Sequence, residues 1–585
     1  MRRCAMVLSA VLLLLASPSA QDRALDQFFD EFAAEWMRAD PNGATSRRYF
    51  TGEEQRRLER ELTPMTDAHR RDRIARARRG LTRLHAFDRG RMSDAQRLSV
   101  DVLDWQLQSI VDGGPYLDFT FPLDQFQGAN IGLVDALTTQ HPLAVEADAN
   151  NYLARLGQVA SRMDEALADA QRMAAKGTVP PRFILRATMT QMQQFIGSPA
   201  AENPFVTTLA ARLQAMKDVP PSRRDALLGE AAGVVTTGIY PAWRRGISLL
   251  DSLMARTTDD AGVWKYPQGA EIYAYQLRRN TTTKLTAEEI HEIGLKQVAR
   301  IEQQMDDILR QLGRTQGSVK ERVAQLRKDL GYPLTDEGRA RIMSDVESIL
   351  RDAQKRSMTL FEATPKSPVT AEPFPRFREA NAAANYTGPS PDGTRPGTFR
   401  IPLRPERMTR FGLRSLVYHE TVPGHHFQIA LEIENDALPR FRRTRLFGGF
   451  PALGEGWGLY AERLAAESHW YDGDLEGQLG QLDAELFRAR RLVADTGLHT
   501  KRWTRQQAID YGIEASEIER YVVNPGQACA YMLGQLKIIE LREKARTALG
   551  ARFSERDYHT AVLRTGTVPL EILDRQIGAY IQAKR

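Results

Sequence analysis

Cysteine is almost missing from this chain: Cys4 and Cys529 are the only two in 585 residues. A disulfide framework is therefore excluded, and stability must come from the core. Histidine is nearly as scarce, with 10 residues, so any grouping of histidines carries information. Neither sign of charge dominates. The formal charge is +6, with Lys, Arg, Asp and Glu interspersed, which speaks for solvated helix faces and against a nucleic-acid footprint. Long apolar runs are absent beyond the N-terminus, where Met1-Arg2-Arg3 precedes an apolar stretch from Ala5 to Ala16 and then S-P-S-A. That reads as a secretory leader, residues 1–20, too short to span a bilayer. Cys4 stands before the apolar run, where a lipid-attachment cysteine does not. The expectation is a periplasmic or secreted protein without a stable membrane anchor after leader cleavage.

Hydrophobic residues at 42% and charged ones at 26% describe a globular chain with ample core. Length alone suggests about four domains, but no repeat or low-complexity linker divides residues 21–585. A single, mainly α catalytic domain is expected, with two lobes conceivable at about 21–360 and 361–585. Apolar residues at helical spacing run through Asn150–Ala175, Ala210–Lys217 and Thr286–Leu312, the last opening on a Thr286/Glu289 capping box. The Arg-rich stretch Arg70–Arg91, interleaved with Asp, Leu, Ile and Ala, predicts a solvated amphipathic helix. From Pro365 to Pro402 the character changes to eight prolines and three glycines. Thr398–Leu403 is the best strand candidate there, after a turn at Asp392–Gly393. Such a strand would take a peptide substrate by main-chain pairing, whereas an irregular loop packed on the core would not.

Three of the ten histidines fall in S-L-V-Y-H-E-T-V-P-G-H-H-F-Q, residues 415–428. His419 followed by Glu420, with further imidazoles at His425 and His426, is the donor set of a hydrolytic zinc site. The spacing is not the i, i+4 of H-E-x-x-H, because that position is Pro423. On an unbroken helix His426 would lie within about 20° of His419 but roughly 10 Å along the axis, and His425 would be rotated by about 120°. Pro423 cannot donate to the His419 carbonyl, and Gly424 frees the backbone. The Pro-Gly pair is thus expected to open the helix and re-aim one histidine at the same ion. His425 is the favoured ligand, with His426 behind it or touching substrate, though His426 remains open as the alternative. A second helix is predicted over Pro451–Tyr471, its G-E-G-W-G glycines allowing close packing. Glu455 is the candidate third ligand, and Glu462, seven residues on and on the same face, supports it from behind.

With these residues the chain resembles a bacterial family of unknown function placed in the zincin (gluzincin) peptidase clan. The pieces that carry the resemblance are H-E-T-V-P-G-H-H-F-Q, E-G-W-G-L-Y-A-E, D-T-G-L-H (495–499) and P-G-Q-A-C-A-Y-M-L-G (525–534). It implies a large helical zincin-like metallopeptidase fold with a small β-sheet beside the active-site helix, similar in plan to thimet oligopeptidase and angiotensin-converting enzyme. It implies Zn2+ held by His419, His425 and Glu455, Glu420 as general base and Tyr531 as the oxyanion donor. His499, oriented by Asp495 one helical turn away, is a further candidate donor, and Tyr386 and Arg395 are candidate substrate contacts. The activity expected is zinc-dependent cleavage of amide bonds in short peptides. A non-peptide amidohydrolase, or a non-catalytic periplasmic binding or scaffold protein, are the alternatives.

Overall fold

The computed structural model describes residues 20–374, 376–379, 383–390, 393 and 395–585. The leader expected over residues 1–20 lies almost wholly outside them, and so does Asp392 of the predicted turn. About 70% of the chain is helical. The helices that build or flank the site are α1 (Asp67–Leu84), α2 (Gly269–Thr281), α3 (Ala287–Gln311), α4 (Arg410–Glu420), α5 (His425–Ile433), α6 (Pro451–Glu467), α7 (Leu475–Thr500) and α8 (Ala530–Leu549).

Local sequence explains where several of these begin and end. The capping box at Thr286/Glu289 forms as expected, satisfying two backbone donors at the start of α3. The predicted 150–175 helix is two helices, Glu146–Leu156 and Val159–Ala175. Gly157, about 1 kcal/mol poorer than Ala in a helix, marks the joint. Gln158 fixes it there by accepting the Leu62 N–H and donating to the Arg60 carbonyl. The helix expected to reach Tyr471 ends at Glu467, with His469 in a left-handed turn. In α1 the buried stripe Ile74, Ala77, Leu81 and Leu84 faces the core, while Arg70, Arg71, Arg76, Arg79 and Arg83 pair with carboxylates. That is the amphipathic helix the composition predicted.

The sheet is small and has the order β1-β3-β2, where β1 is Val369–Pro373, β2 Asn385–Thr387 and β3 Gly397–Ile401. β3 is central, parallel to β1 and antiparallel to β2. Its Phe399 and Ile401 are fully buried, which is why this apolar run is a strand and not a surface loop.

Residue 360 is not where the cores divide. One core joins Leu25–Leu107 to residues 332–581, and a second lies wholly within residues 62–254. A third unites α2 and α3 with α7 and the start of α8. Gly294 of α3 lets that helix lie directly on Leu492 and Val493 of α7, since a Cβ there would come within 2.7–2.8 Å of their side chains. The first half of the chain is therefore wrapped into the second through α3 and α7, and a split at 360 would cut both packings.

Candidate metal centre

α4 delivers His419 and Glu420 in its last turn and stops there, and α5 restarts at His425. Gly424 is required at the break. A Cβ on it would lie 2.0 Å from the His419 carbonyl oxygen and 2.3 Å from that of Tyr418. The loop is held from the other side by Trp457 of α6, whose indole N–H donates to the Pro423 carbonyl at 2.9 Å.

The glycines of G-E-G-W-G have separate tasks. Gly458 faces the imidazole of His419, where a Cβ would collide with the ring at 2.7–2.9 Å. Gly456 meets Gly534 of α8, where added Cβ atoms would overlap backbone. This crossing brings α8 against α6 one residue from Glu455 and one turn from Tyr531.

His419, His425 and Glu455 converge, each offering one ligand atom, all within 4.8 Å of one another. Nε2 of His419 and Nε2 of His425 each lie 3.5 Å from Oε2 of Glu455. That is too long for a hydrogen bond. It matches the edge of a tetrahedron about an ion with ligand bonds of about 2.0–2.1 Å, which is about 3.4 Å. The two imidazoles stand nearly perpendicular, at 82° with centroids 4.7 Å apart, so both lone pairs can aim at one point without the rings clashing. The donor set therefore fits zinc.

Behind the cluster, Nδ1 of His419 is 2.7 Å from Oε1 of Glu462, whose other oxygen accepts from the Ser415 hydroxyl. With Nδ1–H bonded to this buried carboxylate, Nε2 is the nitrogen that faces Glu455 and would meet an ion there. Arg488 stands 3.9 Å from the same Glu462 oxygen. The buried carboxylates favour positive charge at this point, carried by a proton or by an ion. Burial alone would lower the pKa of His419, yet Glu455 and Glu462 push it up to about 10. Burial would likewise raise Glu455, but the two imidazoles hold it well below the usual carboxylate range. Glu420 is raised by burial, against the pull of His425 and His419. It is not one of the three converging residues, but it lies close enough to feel both rings and Glu455.

His426 faces away from the cluster. Its Nδ1 is 2.8 Å from the Tyr386 hydroxyl, over Gly397 of β3, and burial lowers its pKa to about 4. Two of the three predicted substrate contacts are thus bonded to each other beneath the sheet. The third, Arg395, is exposed, with its backbone N–H bonded to the Ser390 hydroxyl. Tyr531 is 8% exposed; its hydroxyl accepts from Arg520 at 3.4 Å, and Arg491 lies 4.5 Å over its ring.

His499 requires a correction. Its Nδ1 accepts the Val263 N–H and its Nε2 donates to the Tyr521 carbonyl, so neither nitrogen is left for an oxyanion or a substrate. Asp495 does not orient it. That carboxylate accepts instead from the Tyr273 hydroxyl at 2.6 Å and the Gly526 N–H at 2.9 Å, anchoring the loop before α8. The sequence also gave no sign of Arg491, Arg520 or Ser415, whose partners lie on other helices.

His499 belongs with His141 and His559 in a set that burial holds neutral, each with its pKa lowered to about 4. In the unfolded chain they titrate near 6.5. Their contribution is present above pH 6.5 and is lost as pH falls from 6.5 to 4, at about 3 kcal/mol per residue. Thermal unfolding followed by circular dichroism should show Tm falling steadily across that window. His559→Gln should flatten the fall by about one proton's worth, and an unchanged slope would remove His559 from the set.

The fold recurs among solved structures. A protein from Colwellia psychrerythraea described as a "putative lipoprotein" superposes with a TM-score of 0.91 at 29% identity, over 97% of this chain and 100% of its own. A second "putative lipoprotein", from Shewanella oneidensis, has a TM-score of 0.69 at 17% identity, over 96% of this chain and 99% of its own. Among curated proteins none matches. The family model described as "Bacterial protein of unknown function (DUF885)" matches residues 41–577, and the chain belongs to that family.

Proposed function

We propose that this protein is a zinc-dependent hydrolase, a peptidase of the zincin type that cleaves amide bonds in short peptides. The observation that carries the reading is the convergence of His419, His425 and Glu455, with the His419 tautomer set by Glu462. Zinc, when bound, lowers the pKa of a coordinated water to about 7 and polarises a carbonyl. The chain's own residues do the rest. Glu420, buried and beside both imidazoles, accepts the proton of the attacking water and returns it to the leaving amine. Because Arg520 occupies a lone pair of the Tyr531 oxygen, the phenolic O–H is left to donate to the developing oxyanion. Glu462 and Ser415 hold the His419 ring in place.

An envelope or secreted location accompanies this reading. It is supported by the N-terminal apolar run and by the description of the Colwellia protein. Among the described residues no helix is long and apolar enough to cross a membrane.

The test is metal analysis of the purified protein together with digestion of a peptide library before and after chelation. One zinc per chain is expected, with cleavage lost on chelation and restored by zinc. A metal-free protein that no added zinc activates would end the proposal.

A further inference from the structure

Two cavities, about 730 Å³ and about 510 Å³, both have Gln127, Gln276 and Arg279 in their linings and so lie side by side as the two parts of one groove. Together they are of the size that holds a peptide of a few residues. The smaller one reaches Pro451, the first residue of α6. Pro451, Gly454 and Glu455 share one partly open face of that helix, so the groove's rim lies about 6 Å along the axis from the Glu455 ligand.

The groove is unevenly charged: six Lys and Arg side chains line it against three carboxylates, Asp40, Asp124 and Asp169. All three acids are already engaged. Asp124 accepts the N–H groups of Phe126, Gln127 and Gly128. Asp40 accepts from Thr63 and Gly43, and Asp169 from Arg172 and Arg70.

Arg73 of α1 and Arg279 of α2 differ from Arg70 and Arg76, which are ion-paired, and from Arg47, which is bonded to main-chain carbonyls. Both are solvent-accessible, and neither has an acidic partner within ion-pair distance among the described residues. Arg73 lies over the Trp36 ring at 5.4 Å, which fixes its direction without an ion pair. Enclosure by the groove lowers its pKa; Asp40 offsets part of this, and the Arg279 charge adds to it. Lys265 adds a third cation in the smaller cavity. Asp40 acts on Arg73 and Asp259 and Asp260 act on Lys265 only at longer range, none of them as an ion pair, and cations outnumber acids in the lining, an arrangement completed by an anion.

We infer that this groove binds a substrate carboxylate through Arg73 and Arg279, so that the preferred substrates are anionic peptides. The substrate class rests on the peptidase reading above, but the anion site itself does not. Planar guanidinium groups suit carboxylates because they can give paired, charge-assisted hydrogen bonds. The carboxylate can be an acidic side chain or a free C-terminus.

Four pentapeptides separate these sources: Glu or Gln in an otherwise alanine sequence, each with a free or amidated C-terminus. Their binding to zinc-loaded Glu420→Gln protein, which should not cleave them, is measured by calorimetry. The doubly charged peptide is expected to bind at least about tenfold more tightly than the doubly neutral one. Adding Arg73→Gln or Arg279→Gln should reduce that ratio to within about threefold. Arg78→Gln, exposed elsewhere on α1, should leave it intact, and thermal unfolding should place all three variants within a few degrees of the parent. Whichever single neutralisation removes the preference identifies the carboxylate. Equal binding of charged and neutral peptides, or a preference that survives loss of both arginines, would overturn the inference. Charge-selective binding by a wild-type protein that cleaves nothing would end the peptidase reading and leave the anion site standing.

Discussion

Glu420→Gln is expected to keep a full equivalent of zinc and to lose at least about a hundredfold in kcat, the usual reach of a general base. Two observations separate these effects. The Glu420 carboxylate is not among the three atoms that converge, so removing its charge leaves the ligand set complete. Burial raises its pKa while His425 and His419 draw it down, which leaves it a stronger base than an exposed glutamate and one held beside the ligands. Glutamine preserves the volume and the buried packing of Glu420 at the end of α4, so the variant should unfold within a few degrees of the parent. Metal content by plasma mass spectrometry and kcat on the best peptide of the library are the paired readouts. Near-normal turnover in a zinc-loaded variant would remove Glu420 from the mechanism.

How much of this could be read from the sequence depended on how local each feature is. The helix break was legible because Pro423 and Gly424 act on carbonyls within six residues of themselves. β3 was legible from a short apolar run after turn residues, although its partner β1 lies 24 residues before it and was not foreseen. The glycines around Glu455 announced close packing, but which helix filled each gap was not encoded nearby: one gap takes the His419 ring and the other takes Gly534. His499 failed for the same reason. Asp495 stands one turn from it, and the i, i+4 spacing suggested a pair, but each side chain found its partner on a segment more than twenty residues away. The boundary imagined near residue 360 followed a change in composition, whereas the cores follow the packing of α3 on α7. Arg73 looked like one more surface charge in an Arg-rich helix. Only the opposing wall, supplied by α2, makes it unusual.

His419→Ala and Glu455→Ala should each bind less than one zinc per chain under conditions where the parent is saturated. Two remaining ligands leave the ion with too few protein donors to compete with solvent or chelator. The loss should be distinguishable from unfolding. Glu455 is partly open, with a quarter of its side chain exposed, so truncating it removes little packing. His419 is buried against Gly458, and its truncation leaves a cavity and an unpaired Glu462 in the core, so that variant should also melt earlier. His425→Ala and His426→Ala make the internal comparison. The first removes an Nε2 that faces Glu455 and should cost metal. The second removes a ring bonded to Tyr386 and should keep it. Glu462→Gln belongs between these extremes, because it weakens the bond that fixes the His419 ring without touching a ligand. An affinity loss of about 10–100-fold is expected, measured by competition with a chromophoric chelator. Full zinc occupancy in His419→Ala or Glu455→Ala would clear that residue as a ligand. If neither variant lost metal, the shared 3.5 Å approach to Glu455 would be packing alone, with no ion at its centre.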